Sequence, residues 1–148
     1  MTISELGRPP NILLIDDNRG DAKLMEIAFA RTEPPTRMTV APTAEQGLEM
    51  LQGRGDMAPE ARPDIVFLDL NLPSMHGLTF LELVKTDPDL SCIPVLVISS
   101  SKARKDIADC YRRHANGFVT KPFSLAGYVA LAVSVNEYWF KLVQTLSG

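Results

Sequence analysis

Ile65-Val66-Phe67-Leu68 is an unbroken apolar run that stops on a carboxylate, Asp69, and passes into Leu70-Asn71-Leu72-Pro73. Four apolar residues without polar alternation mark a short strand buried on both faces. Pro73 rules out continuation as a central strand. A strand of this kind needs helices above and below it, which points to an α/β sheet. In such sheets ligands and chemistry sit at the carboxyl ends of the strands. Asp69 is therefore placed where chemistry happens, and the remaining sequence can be tested for whether it supports that carboxylate.

The same form recurs. Asn11 to Ile15 reads as a buried strand ending in Asp16-Asp17, and Pro94 to Ile98 as another ending in Ser99-Ser100-Ser101. Gly117-Phe118-Val119 is a brief last strand before Thr120 and Lys121-Pro122, and Met38 to Val40 is a weakly marked one. Between them lie helical patterns: Asn18 to Arg31, a helix opened by the Thr43-to-Gln46 capping box and ending at Leu51, Leu78 to Thr86, and Lys102 to His114. A long helix is expected from Ser124 to about Leu146. Strand and helix alternate without tight hairpin signals, the pattern of a parallel sheet covered on both faces. Residues 1–10, with Pro9-Pro10, read as a flexible start, and 11–148 as a single domain, the size that 148 residues at 45% hydrophobic content supports.

Charge and composition exclude several classes. A net charge of −3 leaves no electrostatic footprint for nucleic acid. No signal peptide opens the chain, and no apolar stretch approaches the roughly 20 residues that span a bilayer. Cys92 and Cys110 lack metal-ligand spacing and read as buried free thiols of a reducing cytoplasm. Arg54-Gly55-Asp56 imitates an adhesion motif but reads as coincidence.

Asp16, Asp17, Asp69, Ser99 and Lys121 all fall at strand ends, which right-handed crossovers bring to one edge. Three converging carboxylates need a cation, and hard oxygen donors suit Mg²⁺, with Mn²⁺ or Ca²⁺ as substitutes. Lys121 adds a positive charge and Ser99 a hydroxyl, a set that suits a phosphoryl group. A carboxylate can be the nucleophile that accepts it. Each residue alone has a bland reading: acids after strands are often solvated loop residues, lysines usually lie on surfaces, and Asn18 to Asp21 is ordinary helix-start chemistry.

These markers, Asp16-Asp17, Asp69-Leu-Asn-Leu-Pro-Ser-Met-His-Gly77, Pro94 to Ser99 and Lys121-Pro122-Phe123, resemble the receiver domain of two-component response regulators. The resemblance spans roughly residues 11–143 and implies a flavodoxin-like doubly wound (βα)5 sandwich with strand order 2-1-3-4-5. It implies Asp69 as phosphoacceptor, with Asp17 and Asp69 as side-chain metal ligands. Asn71 would give its carbonyl, and Asp16 would act through metal-bound water. Ser99 and Lys121 would contact the phosphoryl oxygens, Phe118 would be the aromatic switch, and Lys121-Pro122 would be cis. Asn71 and Ser101 would flank the water entry, with Ser101 a poor water-orienting residue. The first helix would dock a sensor histidine kinase, with Leu24 as a contact. His76 reads as an exposed loop residue and His114 as a helix-end residue.

In the last helix Leu125, Tyr128, Ala132, Val135, Trp139 and Leu142 form a core-facing stripe. Val129, Val133, Tyr138, Trp139 and Phe140 are candidates for a partner face, so a homodimer through this helix and its neighbouring strand is expected. Asp17-Asn18-Arg19-Gly20-Asp21 after the first strand and the Tyr-Trp-Phe tail resemble the short regulators paired with bacterial and cyanobacterial phytochromes, implying a bacteriophytochrome kinase as partner. The expected protein is a cytoplasmic phosphoacceptor, not a turnover enzyme, without DNA or membrane partners. Two alternatives are a phosphorylation-independent receiver-like scaffold and a Mg²⁺-dependent phosphohydrolase with an aspartyl-phosphate intermediate. The latter usually carries its nucleophile on the first strand, with a second Asp two residues on, where this chain has Asn71.

Overall fold

The computed structural model describes residues 1–53 and 62–145. Asn11–Ile15 (β1), Arg37–Ala41 (β2), Ile65–Leu68 (β3), Val95–Ser99 (β4) and Gly117–Thr120 (β5) form one sheet in the order β2-β1-β3-β4-β5. All four pairings are parallel, with Ile12 opposite both Met38 and Ile65, Val66 opposite Val95 and Leu96 opposite Gly117. This is the expected flavodoxin-like arrangement.

Helices Arg19–Ala30 (α1), Ala44–Leu51 (α2), Gly77–Thr86 (α3), Arg104–Arg112 (α4) and Leu125–Val135 (α5) cover it. The period-2 alternation of strand side chains divides the core in two. Leu13, Ile15, Val66, Leu68, Val95 and Val97 pack with α2, α3 and Cys110 of α4. Ile12, Leu14, Ile65, Phe67, Leu96 and Ile98 pack with α1 and α5. Both faces of the inner strands are dry, which is why their sequences are continuously apolar rather than alternating.

Helix starts follow side-chain chemistry. Asn18, Thr43 and Ser124 each accept the backbone N–H three residues on, at 2.9, 3.1 and 3.1 Å. His76 is exposed and accepts the Leu78 N–H on Nδ1, so its role is to cap α3. His114 ends α4 with a positive φ of 69°.

Several expectations are corrected. Residues 1–10, expected as a flexible start, carry structure of their own: Ile3–Leu6 form a 3-10 turn, Ile3 is buried in the second core, and Thr2 bridges to Gln144. Arg8 then clamps Asp64 through two 2.8 Å hydrogen bonds, and Asp64, buried before β3, also accepts the Asn11 N–H. The cause is a contact between chain ends, which local pattern cannot show. The last helix does not run on to Leu146. It stops being α-helical at Val135, and Asn136–Phe140 form a π turn, which holds one more residue than an α turn. That extra residue rotates Phe140 fully into the core, while Trp139 packs against it only partly buried. Phe140 is fully buried and Leu142 is 68% exposed. Phe140 is thus unavailable as a partner-face residue. Cys92 is exposed while Cys110 is buried. Lys121–Pro122 is trans, and the cis X–Pro bond among the described residues is Glu33–Pro34. The Arg54-Gly55-Asp56 triplet and the expected helix end at Leu146 lie outside the described residues. No helix among them is long and apolar enough to cross a membrane.

Candidate functional site

The strand order departs from chain order between β1 and β3, and the crevice beyond their carboxyl ends is where such sheets bind ligands. Asp16 follows β1 directly and Asp69 follows β3 directly, so the topology alone sets the two carboxylates side by side. Asp16 and Asp69 are buried and Asp17 is exposed. One oxygen from each of the three can be chosen so that all lie within 4.8 Å of one another. Buried acids this close repel, and the compensating charge arrives from the end of β5. The Lys121 ammonium donates to Asp16 at 3.0 Å, Asp69 at 3.1 Å and Asp21 at 2.8 Å.

Hydrogen bonds fix the carboxylates in place. The Asn18 N–H donates to Asp16 Oδ1 at 2.9 Å and the Asn71 N–H to Asp69 Oδ1 at 3.3 Å. Burial raises the Asp16 pKa, against the Asn18 hydrogen bond and the Lys121 charge, which pull it down. For Lys121 burial works downward, but hydrogen bonds to Asp21 and Asp16 and the charges of Asp16 and Asp69 outweigh it and raise the pKa. The ammonium therefore stays charged across the physiological range.

Gly77 keeps Asp69 where it is. A Cβ there would stand 2.7 Å from the Asp69 carbonyl oxygen and 2.7 Å from Leu70 Cα. The start of α3 can approach the β3–α3 loop this closely only without a side chain.

Ser99 is wholly buried at the end of β4, and its carbonyl accepts the Lys121 N–H at 2.8 Å. Its hydroxyl accepts the Ser101 N–H at 3.2 Å. Ser101 is turned toward α4: its hydroxyl donates to Asp106 and accepts the Ala103 N–H. Asn71 is exposed at the mouth, and Phe118 on β5 is partly buried against the first core. Leu24, Val129 and Trp139 lean partly buried on the second core, whereas Val133 and Tyr138 are more than half exposed, at 56% and 57%.

The predicted set Asp16, Asp17, Asp69 and Lys121 is thus gathered in one place, with Ser99 beside it, while Phe118, Leu24 and the α5 candidates lie elsewhere. Sequence reasoning gave Asp21 part of the helix-start chemistry and a place in the Asp17-to-Asp21 resemblance but did not pair it with Lys121, although Asp21 makes the shortest contact to that ammonium. The repeated acid in Asp16-Asp17-Asn-Arg-Gly-Asp21 was the available signal. It also missed Tyr128, whose fully buried hydroxyl lies near enough to feel the charges of Asp21, Lys121, Asp16 and Asp69.

Hard carboxylate oxygens at this spacing fit a divalent cation of the Mg²⁺ or Mn²⁺ type and not zinc.

The sequence profile of the response regulator receiver domain matches residues 12–132. Response regulator Rcp1 of Synechocystis sp. is 28% identical over 142 residues, covering 95% of this chain and 97% of that protein. The Mn²⁺-bound form of Rcp1 superposes with a TM-score of 0.84 at 27% identity, covering 94% of this chain and 100% of that one. The phosphorylated cyanobacterial phytochrome response regulator RcpA gives a TM-score of 0.88 at 31% identity, covering 95% and 100%. RPA3017, a response regulator in red light signalling of R. palustris, gives 0.86 at 27%, covering 94% and 99%. With a profile match across most of its length, the five-strand order and an acid pocket facing one lysine, the chain belongs to the response regulator receiver domain family.

Proposed function

We propose that this protein accepts a phosphoryl group on Asp69 from the phosphorylated histidine of a sensor kinase. The observation that carries the reading is a buried aspartate at the sheet's switch point, 3.1 Å from a lysine and grouped with two further acids. In the transfer an Asp69 carboxylate oxygen forms the new bond to phosphorus. The bond from phosphorus to the imidazole nitrogen breaks, and its electrons stay on the imidazole. Asp16, Asp17 and Asp69, with the Asn71 carbonyl, would hold the Mg²⁺ ion. Bound there, the ion supplies charge neutralisation for the incoming phosphoryl oxygens. Lys121, beside Asp69, would pair with the same oxygens and stays charged throughout.

Ser99 gives the switch. Its hydroxyl rests on the Ser101 N–H and can rotate to donate to a phosphoryl oxygen, drawing the β4–α4 loop with it and leaving room for Phe118 to turn inward. Ser101, held by Asp106, leaves the attacking water unoriented, which favours a long-lived phosphorylated state.

The partner we favour is a bacteriophytochrome-type kinase, since RcpA is a phytochrome response regulator and RPA3017 acts in red light signalling. Leu24 on α1 is the docking candidate. A second copy of the chain would cover Val133, Tyr138 and the flanking Val129 and Trp139. Light scattering of the phosphorylated and unphosphorylated protein should give a dimer, and a monomer in both states would remove that part of the reading. Phosphotransfer is tested with a labelled phytochrome kinase and wild-type or Asp69→Asn protein. Label should pass to the wild type alone. Transfer to both proteins would refute Asp69 as the acceptor.

A further inference from the structure

We propose that Asp21 is a positioning residue that draws the Lys121 ammonium away from the metal-binding carboxylates and thereby raises the site's affinity for a divalent cation. The inference rests on the reading that Asp16, Asp17 and Asp69 hold that cation.

An ammonium group has three N–H donors. Lys121 spends them on three carboxylates, and the shortest contact is to Asp21, at 2.8 Å, against 3.0 Å to Asp16 and 3.1 Å to Asp69. Asp21 lies outside the group of oxygens that meet within 4.8 Å, so it holds the lysine without being a ligand of that cluster. The consequence is electrostatic. A divalent cation entering among Asp16, Asp17 and Asp69 meets a competing positive charge already hydrogen-bonded to two of its ligands. With Asp21 present, part of the lysine's interaction is diverted; without it the ammonium closes on Asp16 and Asp69 and repels the ion more strongly.

The surroundings favour this arrangement. Asp21 is held in the first turn of α1, where its own N–H is capped by Asn18. The Tyr128 hydroxyl is buried and has no hydrogen-bond partner among the described residues. Burial first, and then the charge of Asp21, push that phenol up to about 12, so it stays neutral. The alternative account of Asp21 is an ordinary acid in a helix's first turn, stabilising the dipole. Such an acid would act independently of Lys121.

Mn²⁺ titration by calorimetry of wild type, Asp21→Asn, Asp21→Glu, Lys121→Met and the Asp21→Asn/Lys121→Met pair separates the two. Asp21→Asn should weaken Mn²⁺ binding roughly three- to tenfold, the size of coupling expected for groups in one ion-pair network. Asp21→Glu should restore most of it. In the Lys121→Met background the same change should cost no more than about twofold, the through-space loss of one charge. Equal weakening in both backgrounds would overturn the positioning role and leave the metal site standing. A wild-type chain that bound no Mn²⁺ would overturn both. Thermal melts check that each variant folds. If Lys121→Met does not, an Asp21→Asn chain binding Mn²⁺ as tightly as wild type refutes the proposal without it.

Discussion

Replacing Gly77 with Ala should destabilise the fold and slow phosphorylation together, because the new methyl has nowhere to go. Alanine is worth up to about 1 kcal/mol over glycine inside a helix, so an unobstructed site would gain stability. Here the added Cβ falls 2.7 Å from the Asp69 carbonyl oxygen and 2.7 Å from Leu70 Cα, both backbone atoms of a loop that follows a buried strand. Neither can swing aside as a side-chain tip could. Relief requires moving the start of α3 or the Asp69–Leu70 backbone by most of an ångström, which also strains the 3.0 Å hydrogen bond from the Gly77 N–H to the Leu70 carbonyl. Overpacking of this kind costs about 1–3 kcal/mol. After subtracting a helix gain of about 1 kcal/mol, a net loss of up to about 2 kcal/mol remains, equivalent to a fall in Tm of up to about 8 °C for a chain of this size. Urea denaturation reads the stability, and acetyl phosphate labelling reads the chemistry. A Gly77→Ala protein as stable as wild type and phosphorylated at the same rate would refute the close-approach argument.

Two further outcomes follow from the packing. Phe140→Ala should cost about 3–5 kcal/mol by emptying a fully buried aromatic site, whereas Tyr138→Ala should cost under about 1 kcal/mol; comparable losses in urea denaturation would contradict the π turn. An aromatic disulfide reagent should titrate exposed Cys92 in the native protein and Cys110 only after unfolding. Burial, followed by the charges of Asp106 and Asp109, lifts the Cys110 thiol from 9.0 to about 11. The folded state therefore keeps its proton where the unfolded state loses it, so this contribution is complete below about pH 9 and is lost as pH rises to about 11. The loss amounts to about 2 kcal/mol, and thermal melts across that range should show it in wild type and not in Cys110→Ala.

Legibility in the sequence followed burial. β1 and β3 were readable because both faces of each are dry, so apolar runs and elements share boundaries, as at Asn11–Ile15 and Ile65–Leu68. The carboxylates stood out because they interrupt those runs at the strand ends. Asp21 did not, since its meaning depends on a lysine 100 positions away, and locally it is an ordinary first-turn acid. Period alone also failed where the chain changed it. The π turn at Asn136–Phe140 shifts the stripe by one residue, and nothing in Asn-Glu-Tyr-Trp-Phe announces an extra residue per turn. The chain start was obscured in the same way, because Ile3 and Arg8 acquire their order from the second core and from Asp64.

Phosphorylation of Asp69 would be a covalent change and can be read directly. The protein is incubated with Mg²⁺ and acetyl phosphate, the acyl phosphate is reduced with labelled borohydride, and the peptides are mapped. Label is expected at Asp69 alone, dependent on the metal and absent from Asp69→Asn. Label at Asp16, Asp17 or Asp21 in the wild type, or none at any carboxylate, would contradict it.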